Sequence, residues 1–342
     1  MQTVLVTGGA GYIGSILVRK LLDKGYKVKC LDRFFFGMET VNELLGNSNF
    51  QIIKDDIRWF NPKVLKDVDA VMDLAALSND PSSELDSAKT YDINFLGRVR
   101  VANLSKEYGV KKYILASSCS VYGEQGNDKV TDETSATNPL TVYAKANFMA
   151  ENETLPIANE NFSVTVLRQA TVYGLSPRMR FDLAINAMAL NVFKNKKLLL
   201  MRDGTQWRPF VHIKDTSRAF VTVLESPVEK INGEIFNVGS NDQNLQVNSL
   251  PELVRNSLST NFEIEWYGSP DVRSYRVDFS KISSVLGFKT EFTPTDGIKE
   301  IADALAANKV SDTIKTKTVE WYKHLIETEK TIKDLTINST IL

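Results

Sequence analysis

The chain has 342 residues, a formal net charge of −1 and 43% hydrophobic residues, which is the composition of a soluble globular enzyme with one large core or two unequal ones. So balanced a charge gives no basis for a nucleic acid or a membrane surface as partner, and no apolar run is long enough to span a bilayer. Two cysteines, Cys30 and Cys119, fit a reducing cytoplasm better than an oxidising compartment, and the chain runs straight into a strand pattern, so no signal peptide is expected.

Thr3-Val4-Leu5-Val6-Thr7 is a β-branched run that predicts a buried strand. It breaks into Gly8-Gly9-Ala10-Gly11-Tyr12-Ile13-Gly14, after which Ile13, Ile16, Leu17, Leu21 and Leu22 recur at helical spacing until Gly25. The glycines therefore lie between a strand and a helix N-terminus, where unpaired N–H groups and the helix dipole favour an anion. Gly8 serves the tight turn, Gly11 the approach of a pyrophosphate and Gly14 the packing of helix on strand. With Tyr12 and Ile13 they are the expected cofactor contacts. A second strand, Lys27–Leu31, ends in Asp32. An acid there, about 20 residues past the glycines, can hold both ribose hydroxyls of NAD and repel a 2′-phosphate, while Arg33 leaves some tolerance of NADP.

The pattern continues with a third strand at 50–54, a fourth at 70–76, a helix over 91–108, a fifth strand at 112–117, a helix over 143–160, a sixth strand at 162–170 and a seventh at 234–238. Such alternation predicts an α/β fold: a Rossmann-type doubly wound parallel sheet, with ligands at the carboxyl ends of its strands. Leu74, Ala75 and Ala76 close the fourth strand, and the small alanines let the cofactor lie against the backbone. After Gly174 the alternation loosens. The expected division is a NAD-binding domain over 1–175, with a returning segment at about 211–240, and a smaller substrate lobe over most of 176–342. Arg178 and Arg180 flank Met179 near the ligand edge and suit a diphosphate through planar bidentate hydrogen bonds.

The Gly-x-x-Gly-x-x-Gly spacing resembles the extended short-chain dehydrogenase/reductase superfamily, which includes nucleotide-sugar epimerases and dehydratases. The resemblance extends from Thr3 to about Gly297 and is strongest to the UDP-glucose 4-epimerase-like branch. It implies that Asp56 touches the adenine amino group, that Ile57 packs on the ring, and that Asn94 supports the active-site helix through backbone hydrogen bonds. It places the catalytic serine on Ser118, before Val121-Tyr122-Gly123, and the catalytic tyrosine on Tyr143. A lysine at i+4 from that tyrosine grips the nicotinamide ribose and lowers the phenol's pKa. Here that position holds Asn147, which can bond a ribose hydroxyl but carries no charge, and Lys145 points to another helix face. On this reading a lysine at 147 raises activity near neutral pH. The segment Gly204–Asp215 is similar to a family motif whose arginine contacts the nucleotide diphosphate, which assigns Arg208, and a second phosphate-binding arginine falls on Arg273. His212 belongs to no metal-ligand cluster.

The acids that 4,6-dehydratases carry beside the catalytic serine are replaced by Ser118, Cys119 and Ser120, which disfavours elimination of water. The expected activity is that of an NAD-dependent nucleotide-sugar epimerase (an isomerase with oxidoreductase chemistry) with NAD as cofactor, a nucleotide sugar as substrate and Tyr143 as base. A catalytically weak binding or regulatory protein, motivated by Asn147, and a UDP-glucuronate decarboxylase stay open. The resemblance also implies a cytoplasmic homodimer that pairs helices 91–108 and 143–160 through Val101, Leu104, Phe148 and Leu155.

Overall fold

A computed structural model describes residues 1–126, 129–269, 271, 273–338 and 340. Its main sheet is built from β1 (Thr3–Thr7), β2 (Lys27–Asp32), β3 (Phe50–Lys54), β4 (Ala70–Asp73), β5 (Lys112–Ser118), β6 (Ser163–Gln169) and β7 (Glu234–Val238). All neighbours are parallel, in the order β7-β6-β5-β4-β1-β2-β3. The order reverses between β1 and β4, so a crevice opens at their carboxyl ends. Both faces are buried, which is why the strands read as near-continuous apolar runs. Val4 and Val6 of β1 point into one core with Leu17, Ile114, Phe220 and Phe236, and Leu5 between them points into the other with Val71, Val101 and Leu115.

Three boundaries differ from the sequence pattern. The fourth strand stops at Asp73, not Ala76: the Leu74 amide is shared between the Thr7 carbonyl (3.2 Å) and Thr7 Oγ1 (3.1 Å), and the Ala75 amide turns to Thr7 Oγ1 at 3.1 Å. The long helix begins earlier: α2 (Ser87–Tyr91), a π-helical stretch (Asp92–Gly97) and α3 (Arg98–Glu107) run end to end. The helix expected to reach residue 160 is α4 (Val142–Thr154). The side chain of Thr141 caps its start by accepting from the Ala144 amide, and at Leu155 the chain passes into a single 3-10 turn, Leu155–Ile157.

The first helix, α1 (Tyr12–Asp23), follows the glycine loop. The second core, around Tyr173, Phe181, Ile185, Phe210, Leu250 and Ile298, holds α5 (Ala184–Asn195), α7 (Leu250–Leu258) and α8 (Pro294–Ala306). Between α5 and α7 in sequence, α6 (Ile213–Glu225) returns to the main core through Ala219, Phe220 and Val223. Tyr275, Val277, Phe279, Ile282 and Phe288 join that same core, so the chain after residue 176 is less separate than its composition suggests. The strand Trp207–His212 bridges Thr171–Tyr173 and Asn244–Gln246 at the edge of the crevice. Finally α9 (Thr318–Leu335) comes back over the loop after β2: Trp321 Nε1 donates to the Phe35 carbonyl at 2.7 Å, and the Tyr322 ring meets those of Phe35 and Phe36. Among the described residues no helix is long and apolar enough to cross a membrane.

Candidate active site

One continuous cavity runs along the carboxyl edge of the sheet, from Asp32 past the glycine loop to Ser118 and Tyr143, and on to Arg208 and Arg273. At its first end Gly8 has φ +66°, and a Cβ there would lie 2.9 Å from the Ala75 amide nitrogen. Gly14 packs directly on the Gly8 carbonyl, leaving no room for a side chain. Gly11 caps α1 without a side chain, and the first turn holds no acid, so its N–H groups stay available to an anion. Ile13, Leu74, Ala75 and Ala76 line the cavity beside this loop. Tyr12 also lines it, but its hydroxyl is committed to the second lobe: it donates to the Gly174 carbonyl at 2.6 Å and accepts from Asn186 Nδ2 at 2.9 Å.

Asp32 is half-buried and accepts from the amides of Ala10 (3.0 Å) and Phe34 (2.7 Å). Burial pushes its pKa up, and those amides oppose the rise. Asp56 is buried and engaged by two cations, Arg58 at 2.9 Å and Arg33 at 2.7 Å. Burial alone would raise its pKa, but the two arginines more than offset that and hold it below the usual range. Arg33 is thereby tied back to Asp56, and Ile57 is buried against Gly97.

Ser118 ends β5 and Tyr143 lies in the first turn of α4, and both line the cavity. Burial pushes the phenol of Tyr143 up; the charge of Arg98 pulls it down, Asp80 raises it, and Arg180 and the Ser118 hydroxyl lower it. Asn147 is a correction. It is fully buried and does not line the cavity, because its amide is used elsewhere: Nδ2 donates to the Tyr143 carbonyl at 2.9 Å and Oδ1 accepts from Arg98 at 2.7 Å. Asn94 differs too. It bonds backbone as expected, but that of Leu77, at 2.8 and 2.9 Å, and so shapes the loop after β4 rather than α4. Cys119 is buried, its thiol pushed up by that burial, and His212 is buried between Glu300 and the Phe292 ring.

The arginines expected on the substrate separate into two places. Arg208 and Arg273 lie together at the far end, sharing Asp271 at 2.8 and 2.6 Å, and Arg273 also pairs with Asp80. Arg178 and Arg180 both line the cavity but bond different partners, and Met179 between them is drawn into the second core. Arg180 is buried in a two-pronged pair with Asp182, with Nη1 on Ser78 Oγ at 3.1 Å. Arg178 faces the other way, stacked on Phe36 and bonded to Thr318, at the Asp32 end of the cavity.

Three side chains on this cavity have buried polar atoms without partners among the described residues: Arg178 at Nε and Nη1, Gln169 at both amide atoms and Ser120 at Oγ. Unpaired buried groups are costly, and a cation with an amide suits a ligand carrying phosphates and a carboxamide, as a nicotinamide dinucleotide does. The sequence reading did not select Gln169, Asp80, Phe36, Tyr322 or Arg98. Only Arg98 carried a local signal: with Asn94, Val101, Ala102 and Ser105 it falls on one helix face, and that face is buried.

A family model described as the NAD dependent epimerase/dehydratase family matches residues 4–239. Among curated proteins, a putative UDP-glucose 4-epimerase of Methanocaldococcus jannaschii is 30% identical over 314 residues, covering 89% of this chain and 99% of that protein. A UDP-glucuronate 4-epimerase of Thermodesulfobacterium geofontis is 28% identical over 349 residues, covering 97% and 100%. Among solved structures, the UDP-glucuronic acid 4-epimerase from Bacillus cereus in complex with UDP-glucuronic acid and NAD superposes with a TM-score of 0.81 at 27% identity, over 90% of this chain and 100% of that one.

Proposed function

The chain belongs to the NAD dependent epimerase/dehydratase family, and we propose that it is a nucleotide-sugar 4-epimerase with Tyr143 as its acid–base residue. One observation carries the reading: Tyr143 and Ser118 line the same cavity as the glycine loop and Asp32. A nicotinamide dinucleotide held here would supply reversible hydride exchange at carbon 4 of the sugar. Tyr143 takes the 4-hydroxyl proton as hydride leaves and gives it back as hydride returns, and Ser118 donates to the same oxygen. Arg208 and Arg273 hold the nucleotide diphosphate, exchanging part of their bonding to Asp271 for phosphate oxygens. Gly8, Gly11, Gly14, Asp32, Asp56, Ile57 and the Leu74–Ala76 turn hold the dinucleotide, and Arg178 joins them through its phosphates.

The same proposal divides the chain into a NAD-binding part, 1–175 with 211–240, and a substrate lobe over most of 176–342. It places the protein in the cytoplasm, where the buried free thiols of Cys30 and Cys119 stay reduced. It also includes a homodimer on the face of α3 and α4, with different contacts from those the sequence suggested. Val101 is fully buried in its own core and Leu104 and Leu155 pack against it, whereas Leu96, on the π-helical stretch before α3, and Met149, on α4, are exposed.

The test is a panel of UDP-, GDP-, CDP- and dTDP-sugars, with products and bound NADH followed together. Interconversion of one 4-epimer pair is expected, and Tyr143→Phe should abolish it while NAD still binds. Full activity in Tyr143→Phe, or no turnover across the panel, overturns the reading. Loss of the sugar carboxylate as carbon dioxide identifies a decarboxylase instead.

A further inference from the structure

The position one helical turn after Tyr143 is filled by a neutral side chain that does not reach the cavity, yet a cation does stand beside Tyr143. Arg98, the first residue of α3, is only 2% exposed and lines the cavity. Its Nε donates to the Ala75 carbonyl at 3.2 Å and its Nη1 to Asn147 Oδ1 at 2.7 Å, while Nη2 has no hydrogen-bond partner among the described residues. The amide nitrogen of Asn147, Nδ2, is spent on the Tyr143 carbonyl at 2.9 Å. Asn147 thus ties the guanidinium to the backbone of the residue whose side chain does the chemistry. A guanidinium donates and never accepts, so it needs an acceptor at that place, and a lysine at 147 would set an ammonium against it.

We propose that Arg98, oriented by Asn147, is the cation of the Tyr143 site and the donor to the nicotinamide ribose, so that the charge comes from α3 instead of α4. The proposal rests on Tyr143 acting as base. It gives Asn147 a positioning role and removes the reason to treat this chain as a weakened enzyme. It also reverses the expectation for Asn147→Lys: with Arg98 in place, the added cation disrupts the pair.

The groups around the pair set the sign. Tyr143 is faced by Arg98 from α3, by Asp80 from the short helix Asp80–Ser83, by Arg180 from the loop before α5 and by Ser118 from β5. Arg180 is already matched by Asp182, and Asp80 by Arg273 and the Thr141 hydroxyl. Arg98 is itself faced by Asp73 of β4, which Thr7 and Tyr113 also hydrogen-bond. A positive neighbour favours phenolate, so removing Arg98 moves the rising limb of the rate to higher pH.

The experiment compares Arg98→Met, Arg98→Lys, Asn147→Lys and the double variant Arg98→Thr/Asn147→Lys. Three quantities are read: the pH profile of kcat/KM on the sugar turned over, the Kd for NAD by calorimetry, and the phenolate absorbance titration with Tyr143→Phe as blank. Arg98→Met should move the limb and the phenolate titration up by about one pH unit, lowering the rate about 10-fold on the acid side. Its NAD affinity should fall about 10-fold. Asn147→Lys alone should lose activity, and the double variant should recover most of it. If Arg98→Met does not fold, Arg98→Lys, which keeps the charge, and the double variant carry the comparison. Unchanged pH profile, phenolate titration and NAD affinity in Arg98→Met overturn the proposal, as does Asn147→Lys matching wild type while the double variant falls. If no sugar is turned over, the function reading fails, and the phenolate titration and the NAD Kd still decide the role of Arg98.

Discussion

The guanidinium of Arg178 lies 3.6 Å from the ring centroid of Phe36, sandwiched between the loop after β2 and the start of α9. Burial and the neighbouring charge of Arg180 pull its pKa down to about 9, a measure of how little the protein itself compensates that charge. Phosphate oxygens would compensate it. Arg178→Met should therefore weaken NAD binding by about 1.5–3 kcal/mol, the worth of charge-assisted hydrogen bonds. The unliganded protein should melt at the same temperature or higher, because an unpaired buried charge has been removed. Calorimetry and a thermal melt check both signs; unchanged NAD affinity refutes the assignment.

Cofactor choice follows from Asp32 and Arg33. Asp32 lies on the cavity at the end of β2, while Arg33 is held at 2.7 Å by Asp56 and is not free to greet a 2′-phosphate. NAD should bind more tightly than NADP. Asp32→Ser should narrow the gap, and Asp56→Asn, which releases Arg33, should narrow it further. Equal or tighter binding of NADP by the unaltered protein contradicts this.

Glu300 on α8 joins the lobes at the Gly174 turn. Its carboxylate accepts from the Leu175 amide at 2.7 Å and contacts His212 Nε2 at 2.7 Å and Lys214 at 2.6 Å. Burial alone would raise its pKa, but these partners bring it down to about 2. A depressed carboxylate stabilises the fold above its unfolded pKa of about 4.3 and loses that contribution as pH falls toward 2. Glu300→Gln should cost about 1–2 kcal/mol at neutral pH after solvent screening, and the difference from wild type should shrink on acidification. Denaturant melts at several pH values measure it, and a constant difference across that range argues against the linkage.

Assembly is testable at Leu96, on the π-helical stretch leading into α3, and Met149, on α4, which are 54% and 38% exposed. Light scattering at micromolar concentration should give a dimer. Leu96→Glu/Met149→Glu should give a folded monomer, since two charges would be buried without partners. A monomeric wild-type protein refutes the dimer. Val101→Glu would not discriminate, because Val101 is fully buried in the core of its own subunit.

Much of this was readable from the chain itself, because the signals are local. Strand periodicity, the glycines between β1 and α1, and Asp32 at the end of β2 depend on residues a few positions apart, and backbone geometry alone places them. The hydroxyl pair of Ser118 and Tyr143 was legible through family resemblance. The rest depended on packing. Asn147 was read by its spacing from Tyr143, but its orientation is decided by Arg98, 49 residues earlier. Arg178 and Arg180 read as one anion clamp, but they bond different partners, and Met179 between them is drawn into the second core. The amides just past β4 turn to Thr7, and Val101 is buried by the sheet beneath α3. Periodicity specifies which face of an element is apolar. Which polar side chains meet when those faces close on one another is fixed by the relative placement of elements, and a buried charge takes whatever partner that placement brings within hydrogen-bond reach.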